Sequence, residues 1–184
     1  MSGRPDKHSI ATEEFETEPV AFKPKSRCME LSTQTEANVL LWCLRALDYC
    51  QQTNSLQKLA GGRGGSAGFK DMMNACAALD VPKRVNDLMD LAVYAPSLIK
   101  QIQPGKLPSS ATELSLNAMT ERCSMTRAEQ RMLLFAITIH ENELLENVFS
   151  HCYRKVDTGR MFKVFAHVLD ESVVDIQNAL RADG

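Results

Sequence analysis

Thr126 and Glu129 stand three apart at the head of Met132-Leu133-Leu134-Phe135-Ala136-Ile137, and this start signal constrains the chain more than any other feature. In such a capping box the hydroxyl and the carboxylate each take up a backbone N–H that the first helical turn leaves unpaired. The apolar run alone would fit a buried strand. However, Leu144, Leu145, Val148, Phe149 and Cys152 continue it at spacings of three and four, so the period is helical. The first half is apolar nearly all round, which requires other helices about it. The sequence therefore predicts an all-α fold, a single-domain bundle of about seven helices around a buried central helix over 126–153. His140-Glu141-Asn142-Glu143 is polar at every position, and a bend or break is expected there.

A chain of 184 residues allows one domain with a sizeable core and leaves little room for two. No apolar stretch approaches the roughly 20 residues of a membrane span. Met1 to Val20 carries Asp6, Glu13, Glu14, Glu16 and Glu18 without an apolar core, so it reads neither as a secretory signal nor as an Arg-rich transit peptide. The expectation is a soluble, intracellular, cytoplasmic protein with no membrane partner. Cys28, Cys43, Cys50, Cys76, Cys123 and Cys152 contain no C-x-x-C pair and mostly sit among helical apolar residues, which favours reduced, core-packed thiols over a disulfide framework.

Residues 1–30 contain Pro5, Pro19 and Pro24 in a mixed-charge run without periodicity and read as a disordered N-terminal arm, with Phe15, Val20, Ala21 and Phe22 its only anchors. Residues 31–184 read as the helical domain. Thr33 and Glu36 repeat the capping box, and along the helix that follows Asn38, Arg45, Asp48 and Gln52 form a narrow polar stripe. The rest of that helix, Trp42 included, is set to meet protein on more than one side, either its own neighbours or a second copy of the chain. Gln103 to Ala111, with Pro104, Gly105 and Pro108, reads as a surface loop at 103–111 joining two helical halves.

Gly61-Gly62-Arg63-Gly64-Gly65-Ser66 invites a phosphate reading, since bare N–H groups ahead of a helix hold anions. No Lys-Ser or Lys-Thr follows and no strand precedes it, so a flexible connector with Ser66 as N-cap is favoured over an anion site at Arg63. Next, Phe69, Met72, Met73, Cys76 and Leu79 form one stripe and Val85, Leu88, Met89 and Ala92 another. Asp80-Val81-Pro82 lies between them, and Lys83, Arg84 and Asn86 open the second helix. Over 69–92 this resembles the layout of a helix-turn-helix reader of nucleic acid. It departs from that layout in carrying Asp80 where Gly is usual, in being one residue short, and in facing phosphates with Asp87 and Asp90. An ordinary α-hairpin is the favoured reading. Tyr94-Ala95-Pro96 should interrupt or kink the region.

Ser110 or Thr112 can cap a short helix ending near Cys123. After the turn at Asp157-Thr158-Gly159, with Arg154 and Lys155 before it, Met161, Phe162, Val164, Phe165, Val168 and Leu169 form the best amphipathic helix of the chain. Its outer face is Arg160, Lys163 and His167. A last helix from Ser172 should bury Val173, Ile176 and Leu180 and end at Gly184. His140, Glu143, His151 and Cys152 are metal-ligand types without metal-ligand spacing, so no metal, cofactor or catalytic set is expected. With 21 basic against 23 acidic residues, and no strongly basic segment, the charge does not favour a polyanion. The leading functional expectation is a regulatory or adaptor protein whose partner is another protein or a second copy of itself. The alternative is a nucleic-acid-binding regulator using Lys83, Arg84 and Asn86.

Overall fold

The computed structural model describes residues 31–53, 65–153 and 158–181; within these, only the backbone is described at 65–67 and 151–153. The described residues form eight α-helices and no strand: α1 (Gln34–Gln52), α2 (Gly65–Ala75), α3 (Leu88–Ile99), α4 (Ala111–Cys123), α5 (Arg127–Glu141), α6 (Glu143–Tyr153), α7 (Thr158–Leu169) and α8 (Val173–Leu180). Single 3-10 turns follow at Cys76–Ala78 and Pro104–Lys106. The expected arm at 1–30 and Arg63, Arg154 and Lys155 lie outside the described residues or side chains. Among the described residues no helix is long and apolar enough to cross a membrane.

Helix starts follow the sequence closely. Thr33, Ser110 and Thr126 each close a capping box with Glu36, Glu113 and Glu129, and Ser172 caps α8 by accepting from the Asp175 N–H. The centre of the fold differs from expectation. α1, not 126–153, is the helix that the others surround: Ala37, Leu40, Leu44 and Leu47 on one row and Val39, Cys43, Ala46 and Cys50 on the next are all buried. Two adjacent buried rows cannot face a single neighbour, and α1 packs against α3, α6 and α7. The stretch 126–153 breaks at Asn142, whose backbone is extended and whose Oδ1 accepts from the Leu145 N–H at 3.0 Å. That residue ends α5 and caps α6, so the polar tetrad makes a junction between two helices. Trp42, Phe135, Phe149 and Phe165 form the aromatic centre where α1, α5, α6 and α7 meet. Core residues come from both sides of 103–111, so the two halves share one interior.

Four smaller expectations are corrected. α2 runs from Gly65, so Ser66 stands inside the helix and not at the position before it. Pro96 lies within α3 without interrupting it, since the helix continues to Ile99. His167 turns inward to Asp48 instead of joining an outer face. α8 ends at Leu180, which is exposed. Cys43, Cys50 and Cys76 are buried, and burial drives the Cys43 thiol far above its ordinary range and pushes Cys76 up to about 12; Cys123 is exposed.

Candidate functional site

The starts of α1 and α4 are stitched side by side. The Gln34 N–H donates to the Pro108 carbonyl at 2.9 Å, the Thr35 and Ser110 hydroxyls meet at 2.7 Å, and Ser109 Oγ donates to Gln34 Oε1 at 3.3 Å. Glu113 is 5% exposed, yet both of its oxygens have partners: Oε2 accepts from the Ser110 N–H at 2.9 Å and Oε1 from Asn38 Nδ2 at 3.1 Å. The capping box of α4 thus doubles as the tie to α1. This satisfies a buried carboxylate that would otherwise be costly to desolvate.

Between α1, the 3-10 turn at Pro104–Lys106, α4 and α5 lies a cleft of about 490 Å³. Leu41, Trp42, Ile99, Ile102, Leu116 and Leu134 give it an apolar lining, while Gln34, Asn38, Asn117 and Gln130 bring four primary amides. Gln34, Asn38, Leu41, Trp42 and Arg45 reach it together because spacings of three and four place them on one face of α1. Asn38 and Arg45 of the polar stripe therefore look into a cleft shared with other helices.

Two arginines close one end. Arg45 donates through Nη1 to the Val168 carbonyl at 3.2 Å and through Nη2 to Asp170 Oδ2 at 3.1 Å. Arg131 uses Nη1 alone, reaching the Leu169 carbonyl at 2.6 Å, the Asp170 carbonyl at 3.3 Å and Glu171 Oε1 at 2.9 Å. Both cations sit at the negative C-terminal end of α7, where Asp170 has turned into the left-handed region at φ 58°. Burial lowers the Arg45 pKa, and nearby Arg131 adds to the effect against the pull of Asp170.

Several polar side-chain atoms around the cleft are open to solvent. Gln130 Nε2 donates to Asn117 Oδ1 at 2.5 Å, and the other end of each of these amides has no partner among the described residues. The same holds for Gln34 Nε2, Asn38 Oδ1 and Arg131 Nε and Nη2; among the described residues no buried side-chain N or O atom lacks a partner, so these ends are open to solvent. A ligand could therefore meet an apolar surface, several amide donors and acceptors, and an incompletely used guanidinium.

A second, shallower groove of about 570 Å³ lies beyond Arg45, where Asp48 meets His167 Nε2 at 3.0 Å and the Tyr49 ring stands 5.4 Å from the imidazole. Its charges are mixed: Arg45, Lys100 and Lys163 against Asp48, Asp170 and Glu171. No Ser, Thr or Cys lines it among the described residues, and the His–Asp pair joins α1 to α7.

The nucleic-acid candidates fall elsewhere. α3 begins at Leu88 with Asp87 as its N-cap, so Lys83, Arg84 and Asn86 lie in the connector ahead of the helix they were expected to open. Pro82 and Val85 close a turn by a backbone hydrogen bond of 3.1 Å, and Asp90 reaches back to the Asn86 N–H at 2.9 Å. The Arg84 guanidinium stands 5.4 Å over the Tyr94 ring. The helix–tight turn–helix expected over 69–92 is thus replaced by α2, a 3-10 turn and a nonhelical connector from Leu79 to Asp87.

Gln34, Trp42, Asn117, Gln130 and Arg131 were not singled out for a site by sequence reasoning. The i, i+4 spacing of Gln34 and Asn38 was the available signal, but it does not say which distant residues complete the wall. Compared with protein-family models, curated proteins and solved structures, the chain matches none of them.

Proposed function

We propose that the protein is an intracellular regulatory or adaptor protein that works by holding another protein, and that the cleft between α1, α4 and α5 is where it holds it. The observation that carries this reading is the combination of an apolar lining with amide and guanidinium groups whose outer ends are open to solvent. An interface of this kind gains from displaced water at its centre and gains direction from hydrogen bonds at its edge.

The nucleic-acid reading has less geometric support, because Lys83, Arg84 and Asn86 do not start a helix. A second copy of the chain remains the other protein partner to test.

The experiment is a capture from native lysate with wild type, Arg131→Gln and the double variant Asn117→Ala with Gln130→Ala, each with and without nuclease. Sedimentation velocity of the purified protein runs beside it. The expected result is a set of nuclease-resistant protein partners retained by wild type and lost by both variants. Partners retained equally by the variants would remove the cleft from the reading, and partners lost only on nuclease treatment would favour nucleic acid. A concentration-dependent dimer abolished by the same variants would make a second copy the occupant.

A further inference from the structure

We infer that the occupant is a short extended segment of a separate protein chain, carrying apolar side chains on one face and a carboxylate where it reaches Arg131. The inference rests on the protein-binding reading above and adds the conformation and charge of the partner.

The amides set the conformation. A primary amide offers one carbonyl and one NH₂, the same kinds of group that a peptide unit offers. Gln34 and Asn38 are one helical turn apart, a rise of about 6 Å, and an extended chain repeats its orientation every two residues, about 6.7 Å. The two α1 side chains can therefore address successive like-facing peptide groups of a strand laid along the helix. Asn117 and Gln130, linked to each other at 2.5 Å, face the same space from α4 and α5. A helical ligand would have satisfied its own backbone and would leave these amides idle. The apolar lining, with Trp42 in it, would take the alternate side chains that an extended segment turns to one face.

The charges set the polarity. Of the cleft's ionic groups, Glu113 is buried and already accepts two hydrogen bonds, so it has little left to offer a cation. Arg45 has committed both Nη atoms to Val168 and Asp170. Arg131 has committed one Nη, and its Nε and Nη2 remain as the pair of donors that grips a carboxylate side-on.

Trp42 is the sole tryptophan of the chain, so its emission reports occupancy of the cleft directly. The probe is an array of N-acetylated, C-amidated hexapeptides alternating apolar and variable positions and ending in Asp, Asn, Lys or Ala. Selected members are then titrated against the full chain by Trp42 fluorescence. The expected result is that Asp-ended peptides bind and shift the emission, that Asp→Asn in the peptide weakens binding about tenfold, and that Arg131→Gln removes this preference. N-methylation of a peptide nitrogen facing the amides should weaken binding about tenfold to wild type but not to the Asn117→Ala and Gln130→Ala double variant. That double variant keeps the test valid if Arg131→Gln fails to fold, since Asn117 is exposed and neither side chain belongs to the core.

Equal binding of Asp- and Lys-ended peptides, or indifference to N-methylation, overturns the inference. Benzoate shifting the emission as strongly as the peptides would make the occupant a small carboxylate. Removal of residues 1–24 raising peptide affinity tenfold would make it this chain's own N-terminal segment. Partners lost by the variants in the lysate capture, together with an array that binds nothing, would sink the extended-peptide inference and leave the protein-binding reading standing. Partners kept by those variants would sink both.

Discussion

Replacing Phe135 by Ala tests the aromatic centre on which the bundle converges. The ring is 4% exposed and touches three helices besides its own: its centroid lies 5.2 Å from Trp42 of α1, 4.9 Å from Phe149 of α6 and 5.8 Å from Phe165 of α7. Truncation of a buried Phe costs roughly 3–5 kcal/mol, and the cost rises when the walls cannot collapse into the cavity. Here the walls belong to separate helices, and each of the three ring pairs adds about 0.5–1.5 kcal/mol beyond its area. The expected loss is therefore about 4 kcal/mol or more, a large part of the 5–15 kcal/mol typical of a domain. Urea unfolding monitored by far-UV circular dichroism measures it, and Trp42 fluorescence supplies a second probe from the edge-on partner ring. A double-mutant cycle with Phe149→Ala should give a coupling of at least about 0.5 kcal/mol. A loss below about 1 kcal/mol, or no coupling, would mean that the ring is not enclosed and would refute the packing described.

Glu113→Ala should cost roughly 1–3 kcal/mol in the same urea assay, because Asn38 Nδ2 and the Ser110 N–H lose their acceptor where α1 meets α4; a neutral result would show that water replaces the carboxylate. Burial raises the Glu36 carboxyl, but hydrogen bonds from Ser32 and Thr33 outweigh it and hold the pKa below the ordinary 4.5. A depressed carboxylate contributes stability above its unfolded pKa and loses it as pH falls through the folded value, so urea midpoints should drop in acid from about 4.5 downward, less steeply in Glu36→Gln. Identical acid limbs would show that these contacts do not persist in solution. Lys83→Ala with Arg84→Ala should leave any binding to labelled duplex DNA, and its dependence on salt, unchanged; sub-micromolar binding at physiological salt that the double change removes would restore the helix-turn-helix reading.

Local signals in the chain were legible because they act within one turn. Thr33, Thr126 and Ser172 each cap a helix that begins where the hydroxyl and the following acid place it, and Ser110 with Glu113 does the same for α4. The break at Asn142 was visible in the polar tetrad, for the same reason. Centrality is a property of the whole assembly and was misjudged. Residues 126–153 and 34–52 both show wide apolar faces, but one helix can run through the middle only if no polar junction interrupts it, and Asn142 interrupts the first. Within the connector, Lys83–Asp87 reads as the start of a helix because Val85, Leu88 and Ala92 keep a helical spacing, yet the helix begins only at Leu88. Asp87 and Asp90 read as charges facing phosphate, whereas in the fold Asp87 acts as a cap and Asp90 reaches back to Asn86.

The cleft was hidden for a different reason, and that reason ties its shape to the rest of the fold. Asn38 and Glu113 are 75 residues apart, Arg45 and Val168 are 123 apart, and nothing in either neighbourhood names the other. A polar stripe on a central helix has two physical outcomes: it faces solvent, or it meets polar groups brought by other elements. Since α1 is buried on its remaining sides, the second outcome joins its stripe to the start of α4 and the end of α7 at once. Arg45 and Arg131 then hold the same carbonyl end of α7 from α1 and α5, so the separation of those two helices depends on that end staying closed. A carboxylate arriving at Arg131 Nε would add negative charge next to Asp170 and Glu171, whose repulsion it must overcome through the guanidinium between them. Neutralising Glu171 by Glu171→Gln should therefore strengthen binding of the Asp-ended peptides and leave the Ala-ended ones unchanged. Equal gains for both would place the carboxylate away from Arg131.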